Sequence, residues 1–296
     1  MTLWQPDPPE GFENFWRETF EEADEAPLDY ERKTQHDVVR DGFTIDVFSF
    51  RGVKGTTLHG WFAFPSPTPT PAFLWLPPYS RWSMVPNEYG TREGFCSLSL
   101  NYFGEHAFHS ETYKPERGYL AEGIESPETW VFRRLFQDSV IAGRILQSLP
   151  EVDPGRIGSM GMSQGGGISI WLGAFCPFVR CVVGDMPFGA ARPVVFARDI
   201  HRYPLRELID WWSGDPTRRV AAMRTMSYFD TVNMASLCRV PTLVTYGTND
   251  PAVREYEVRS VFEALAGEKK IEAIESGHDW HESMVERNRA WLEKWL

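Results

Sequence analysis

Residues 156–167 read Arg-Ile-Gly-Ser-Met-Gly-Met-Ser-Gln-Gly-Gly-Gly. The apolar run from Ile157 to Met160 is typical of a buried strand, and residues 168–174 are typical of a helix. Between them lies Gly-x-Ser-x-Gly, with Ser163 at its centre. A strand, a tight turn and a helix are the setting of a nucleophile elbow, in which the serine hydroxyl stands above a sheet. The competing interpretation is a glycine-rich packing turn without any chemistry.

The rest of the chain alternates strands with helices. Apolar runs predict buried strands at 72–76, 95–100 and 179–185, and two further strands are predicted at 242–246 and 270–274. Helices are predicted at 128–149, 253–266 and 284–296. Period-two alternation between Val38 and Pro65 predicts antiparallel strands ahead of them. The expected fold is α/β, a mostly parallel, doubly wound sheet with antiparallel leading strands, in a single domain over residues 1–296. Functional residues then belong at the carboxyl ends of the strands.

Two segments stand apart from this alternation. Phe12, Phe15 and Trp16 recur at helical spacing among glutamates, which predicts an amphipathic arm helix within residues 1–27. Residues 186–233 have a helical pattern and many aromatic side chains. We expect this second segment to form a cap over the site.

The composition restricts the possible ligands. The 296 residues carry a formal net charge of −11, which disfavours nucleic acid and anionic membranes as partners. The 7 histidines and 4 cysteines show no zinc spacing, and no phosphate-binding loop or dinucleotide fingerprint is present, so we expect neither a metal nor a cofactor. The chain has no signal-peptide pattern and no apolar run able to span a bilayer, and its cysteines are expected to be reduced. These features predict a cytoplasmic protein.

A serine nucleophile needs a base, and the base needs a carboxylate to orient it. In this architecture the partners follow in the order Ser, acid, His. Asp250 lies just after the strand 242–246, in the turn Gly-Thr-Asn-Asp-Pro, and is the candidate acid. Aspartate is also an ordinary turn residue, so a purely structural role stays open. Asp185, at the end of the preceding strand, is the alternative acid.

The candidate base lies after the last strand, where two histidines occur. His278 directly follows a glycine beyond the strand, in the loop that should hang over the elbow. His281 begins the final helix, where a capping or surface role is the alternative. His106 and His109 follow the strand that ends at Leu100, and they either border the pocket or lie in a solvated loop.

An acyl-transfer site also needs N–H donors for the oxyanion. The backbone of Gln164, directly after the serine, is one expected donor. The second should come from the loop after the strand 72–76, where Pro77 and Pro78 have no N–H, so Tyr79 is the first residue able to donate. Each feature is common alone. Their occurrence in the expected chain order, each at the end of its own strand, indicates a serine hydrolase.

The motif Gly-Met-Ser-Gln-Gly-Gly-Gly at 161–167 resembles the Gly-x-Ser-Gln-Gly-Gly motif of the acetyl xylan esterase and cephalosporin C deacetylase family. Further similarity lies in residues 12–16, 129–134, 185–188 and 227–233. The resemblance therefore extends over nearly the whole chain, including the arm helix.

This resemblance implies an α/β-hydrolase that removes acetyl groups from sugar or small-molecule esters. Carried over by position, it implies Ser163 as nucleophile, Asp250 as acid and His278 as base. Tyr79 and Gln164 would supply the oxyanion hole. The family also implies a closed homo-oligomer.

The chain departs from the family pattern in three loops that border the expected pocket. Phe103-Gly104-Glu105 stands where the family usually carries Arg-Gly-Gln. Pro77-Pro78-Tyr79 replaces His-Gly-Tyr, and His278-Asp279 replaces His-Glu. The substrates of the family need not be those of this chain.

Two other functions compete with a serine esterase that acts through an acyl-enzyme. A peptidase or amidase would use the same three catalytic residues. A catalytically silent binding protein would keep the fold and the pocket, although the presence of Ser163, Asp250 and His278 argues against it.

Overall fold

The computed structural model describes residues 3–79, 85–103, 106–108, 118–198 and 201–296. Within these ranges nine strands form one sheet in the order β1-β2-β3-β5-β4-β6-β7-β8-β9. The strands are β1 (Tyr30–Arg40), β2 (Phe43–Arg51), β3 (Thr57–Phe64), β4 (Thr70–Leu76), β5 (Cys96–Asn101), β6 (Val152–Met162), β7 (Val179–Asp185), β8 (Thr242–Gly247) and β9 (Lys269–Ile274). Antiparallel pairs join β1, β2, β3 and β5, and the six strands from β5 to β9 are parallel. The predicted mostly parallel sheet with antiparallel leading strands is confirmed.

The helices cover both faces of this sheet. They are α1 (Phe12–Asp24), α2 (Val131–Ser148), α3 (Gln164–Phe175), α4 (Arg192–Val195), α5 (Leu205–Trp211), α6 (Pro216–Tyr228), α7 (Thr231–Ala235), α8 (Glu255–Ala264) and α9 (Ser283–Trp295). Successive residues of β4 point to opposite faces, as a strand requires. Leu74 belongs to the core shared with α2, α3 and α8, whereas Trp75 belongs to the core that contains Trp291 of α9. The sheet is therefore doubly wound, as predicted.

The arm helix α1 is anchored by one buried tryptophan. Trp16 is fully buried, and its indole N–H donates to the carbonyl of Tyr228 at 2.7 Å. Its ring meets Phe136 of α2 and Phe229, each at 5.0 Å between centroids. Many of the aromatic side chains of the sequence thus pack inside the molecule.

The edge strand β1 is not predicted in full from the sequence, because the period-two pattern begins only at Val38. Residues 30–40 read Tyr-Glu-Arg-Lys-Thr-Gln-His-Asp-Val-Val-Arg, so they lack the apolar alternation of a strand with a buried face. Their pairing with β2 lies at the end of the sheet, where a polar strand is tolerated. The helical segment predicted at 186–233 holds α4 to α7 and continues to Ala235.

Candidate active site

Strand β6 ends directly at a strained serine. Ser163 has φ 56° and ψ −115°, a conformation that L-residues rarely adopt, and α3 starts at the next residue. The flanking backbone is tightly packed, because a Cβ on Gly165 would lie 2.0 Å from the carbonyl oxygen of Leu76. A Cβ on Gly161 would lie 2.5 Å from the carbonyl carbon of Gly165. Both glycines are required for the turn to hold the serine above the sheet.

Three side chains from three strand ends meet at this turn. The Ser163 hydroxyl lies 3.0 Å from Nε2 of His278, in the loop after β9. Nδ1 of His278 lies 2.6 Å from Oδ2 of Asp250, in the loop after β8. A carboxylate can only accept, so Nδ1 carries the proton and Nε2 is free to accept from the serine hydroxyl. Nε2 is therefore in position to act as a base toward Ser163.

The carboxylate of Asp250 is held in place by the backbone. Its second oxygen, Oδ1, accepts from the N–H groups of Ala252 at 2.7 Å and Val253 at 3.0 Å. The side chain is fully buried, so water competes little for the bond to His278. Asp250 therefore makes hydrogen bonds both within its own turn and to His278, so it is more than a turn residue.

Asp185, the alternative acid, has other partners. It is fully buried and accepts from the hydroxyl of Thr245 and the side-chain amide of Asn288, each at 2.7 Å. Burial raises the pKa of its carboxyl group. Asp185 joins β7 to β8 and α9 and does not contact His278.

The two other candidate histidines that the structure describes, His281 and His106, are not part of the cavity that contains Ser163. The imidazole Nδ1 of His281 accepts from the backbone N–H of Ser283 at 3.2 Å, just before α9, whose N-cap residue is Glu282. His106 is exposed and borders a separate groove beside β1 and β2. His109 lies outside the described residues, as do Gly104 and Glu105.

The two expected oxyanion donors come from the loop after β4 and from the first residue of α3. Tyr79 follows β4 after the two prolines, and it lines the same cavity as Ser163 and His278. The N–H of Gln164 belongs to the first turn of α3, where it has no partner within the helix. The assignment of these two N–H groups to an oxyanion hole stays a prediction.

Contacts that the sequence analysis did not predict fix the loop of Tyr79. The Tyr79 hydroxyl donates to the carboxylate of Glu207 in α5, 2.9 Å from Oε1 and 3.0 Å from Oε2, and accepts from the N–H groups of Tyr119 at 2.8 Å and Leu120 at 2.9 Å. Burial, together with the Glu207 carboxylate, raises the pKa of this phenol. It therefore stays protonated and acts as a donor to Glu207.

Tyr119 connects the two sides of the expected oxyanion hole. Its ring packs on Tyr79 at 4.2 Å, and its hydroxyl donates to the side-chain oxygen of Gln164 at 2.8 Å. On its other side it stacks on Phe103 at 4.2 Å, the residue that stands where the resembled family usually carries arginine. A buried tyrosine needs a partner for its hydroxyl, but no local spacing in the sequence indicates which residue supplies it.

The three side chains open into a cavity of about 380 Å³, a volume suited to a small molecule. One wall comes from the helical segment after β7, through residues 198 and 201–205. The opposite wall comes from the loops of Asp250 and His278. Ser163 is 5% exposed, so a substrate reaches its hydroxyl through this cavity.

Other kinds of chemistry have little support in the part of the chain that the structure describes. Among the described residues, no group of three His, Cys, Asp or Glu side chains could hold a metal ion. No helix in those ranges is long and apolar enough to cross a membrane. Burial raises the pKa of all four cysteine thiols, so they stay protonated and are poor nucleophiles.

The doubly wound sheet, the serine elbow and the order Ser, Asp, His define an α/β-hydrolase. The chain belongs to the acetyl xylan esterase family, because the family model described as acetyl xylan esterase (AXE1) matches residues 5–296. The resemblance noted in the sequence is thereby confirmed.

Individual relatives agree with this assignment. The structure of the acetyl xylan esterase from Paenibacillus sp. R4 superposes with a TM-score of 0.88 at 23% identity, over 99% of this chain and 97% of that chain. Acetyl xylan esterase 1 from Thermoanaerobacterium sp. JW/SL YS485 gives a TM-score of 0.83 at 22% identity, over 99% of this chain and 96% of that chain. These two structural likenesses establish the fold.

A curated protein also matches in sequence. Acetyl esterase Axe7A of Xylanibacter ruminicola is 22% identical over 255 residues, which are 82% of this chain and 57% of that protein. This chain thus spans little more than half of the length of that relative.

Proposed function

We propose that this protein is a serine esterase that removes acetyl groups from sugar or small-molecule esters through an acyl-enzyme. The observation that carries the proposal is the continuous hydrogen-bonded series from Ser163 through His278 to Asp250, open to a small-molecule cavity. Membership of the acetyl xylan esterase family supports the choice of acyl group.

In the proposed reaction, the Ser163 oxygen attacks the ester carbonyl carbon while Nε2 of His278 takes the hydroxyl proton. The carbonyl oxygen becomes an oxyanion, which the backbone N–H groups of Tyr79 and Gln164 would stabilise. Collapse of the tetrahedral intermediate breaks the bond to the alcohol oxygen, which receives the proton from His278. Asp250 orients the imidazole and stabilises its charged form. Water then attacks the acetyl-enzyme by the same route and releases acetate.

A series of p-nitrophenyl esters from acetate to octanoate tests this proposal, with an aminoacyl p-nitroanilide as the amide control. We expect kcat/KM to be highest for acetate and to fall steadily with chain length, because the proposed acyl group is small. Turnover of the amide in preference to acetate would favour the rival peptidase or amidase. Absence of both activities, with no stoichiometric reaction with a serine-directed phosphonate, would favour the silent binding protein.

Three further features of the chain stay proposals. We infer that residues 1–296 act as one domain, with residues 186–233 as a cap, and the support is that Arg198 and residues 201–205 line the cavity. A cytoplasmic location is supported by four buried, unpaired cysteines. A homo-oligomer is supported by the resemblance alone. The aromatic side chains add no support for a subunit interface, since many of them pack within the chain.

The contact between Tyr79 and Glu207 gives a prediction about positioning. Glu207→Ala is expected to lower kcat about tenfold with little change in KM, because the loop that presents the Tyr79 N–H loses its anchor and one oxyanion donor is worth roughly 10²-fold or more. Glu207→Gln keeps an acceptor for the phenol and is expected to recover most of the rate. Kinetics with p-nitrophenyl acetate measure both effects.

The matched control for Glu207 is Asp210→Ala, on the same helix α5. Asp210 is exposed and pairs with Arg206, so its loss should leave kcat unchanged. A normal kcat for Glu207→Ala, or an equal loss in the Gln variant, would contradict the positioning role.

A further inference from the structure

We propose that the natural substrate carries a carboxylate or phosphate on its alcohol portion, and that Arg202 and Arg254 bind this group in the active-site cavity. The proposal rests on the proposed function. An acetyl group has no charge of its own, so an anion recognised in the cavity has to belong to the alcohol.

The cavity has the opposite charge balance to the whole protein. The chain carries a net charge of −11, yet three arginines line this cavity, namely Arg198, Arg202 and Arg254. Among the described residues in the lining, Asp279 is the only carboxylate. Charges of one sign in a concave site raise the local potential and attract ligands of the opposite sign.

Arg198 is already neutralised and does not contribute to this binding. Its guanidinium donates to the buried carboxylate of Glu257 and to the hydroxyl of Tyr256. The side chains of Arg202 and Arg254 are exposed, and neither makes an ion pair or a hydrogen bond with any residue that the structure describes. These two guanidinium groups are therefore available to a ligand.

Nearby arginines outside the cavity behave differently. Arg206 pairs with Asp210 at 2.8 Å, and Arg259 pairs with Glu255 at 2.7 Å. The next arginine along the chain from each of the two is thus ion-paired outside the cavity, whereas Arg202 and Arg254 in the cavity lining make no such pair with any described residue.

The two arginines come from different walls of the cavity. Arg202 lies in the segment between β7 and β8, and Arg254 directly precedes α8, just beyond Asp250. A guanidinium group offers a planar set of N–H donors that matches the oxygens of a carboxylate or a phosphate. A sugar that places its acetyl ester at Ser163 can present such an anion to either wall.

The test compares three acetyl esters at low ionic strength: an acetylated neutral sugar, an acetylated uronic acid and an acetylated sugar phosphate. We expect the wild type to favour at least one anionic ester over the neutral one by about tenfold in kcat/KM, since charge-assisted contacts at exposed sites are individually modest. The double variant R202Q/R254Q should lose this preference, measured as the ratio of kcat/KM for the anionic ester to kcat/KM for the neutral ester. Salt near 0.5 M should also reduce the preference, because it shortens the Debye length to about 4 Å.

The matched control is R206Q/R259Q, which also removes two positive charges, but from arginines outside the cavity. It should retain the preference, and equal losses in the two double variants would mean that a long-range field, and not a binding site, is responsible. A preference for the uronic acid alone, or for the phosphate alone, would support the site and identify the anion. Hydrolysis of the neutral ester without any preference for an anion would overturn this inference, but it would not contradict the proposed esterase function. Failure of all three esters together with p-nitrophenyl acetate would instead contradict the proposed function.

Discussion

Replacement of Ser163 by alanine is expected to lower kcat for p-nitrophenyl acetate by roughly 10⁴-fold to 10⁶-fold while leaving the protein folded. The hydroxyl is the one group within hydrogen-bond reach of the free nitrogen of His278, at 3.0 Å, among the described residues. Alanine keeps the Cβ and the strained backbone of the turn, so the loss should be confined to the oxygen atom. Steady-state kinetics, with the melting temperature as a measure of folding, test this expectation.

Ser159→Ala is the matched control on the same strand. Ser159 is fully buried, and its hydroxyl donates to Ser169 at 3.0 Å, four residues before the elbow. Its loss is expected to cost about 1 kcal/mol of stability and little activity. If Ser163→Ala were as active as the wild type, the elbow would be a packing turn and the proposed mechanism would be wrong.

The three residues that meet at the elbow were accessible from the sequence because each lies at the end of a strand that is recognisable on its own. Ser163 follows an apolar run and precedes a helix, and Asp250 and His278 follow two later runs of the same kind. Parallel strands bring their carboxyl ends to one edge of the sheet, so local patterns were sufficient to predict a long-range meeting.

The contacts that hold the expected oxyanion donors in place could not be predicted from local patterns in the sequence. Glu207 lies 128 residues from Tyr79 and Tyr119 lies 45 residues from Gln164, and no periodicity relates them. The Glu207 contact depends on how the segment after β7 packs against Tyr79, and the Tyr119 contact depends on how the segment between β5 and α2 packs against α3. Both are properties of the tertiary structure. The charge balance of the cavity depends on the same packing, since Arg202 and Arg254 come from separate elements.

Asp250→Asn is expected to lower kcat by about 10⁴-fold with little change in stability. The amide oxygen of asparagine can still accept from Ala252 and Val253, so the loop should keep its shape. Its NH₂ group would then face Nδ1 of His278 and force the ring proton to Nε2, where it blocks acceptance of the serine proton. The same kinetic assay, run beside thermal unfolding, measures both effects.

Asp185→Asn separates the two candidate acids, because it makes the same chemical change at the alternative position. Asp185 accepts two hydrogen bonds at full burial, from Thr245 and Asn288, and an asparagine NH₂ group would face one of these donors. The expected result is a loss of about 1–3 kcal/mol in unfolding free energy, with kcat largely retained below the melting transition. The opposite pattern, an inactive but stable Asp185→Asn and an active Asp250→Asn, would transfer the role of acid to Asp185. The 2.6 Å bond between Asp250 and His278 is the physical reason to expect the first pattern.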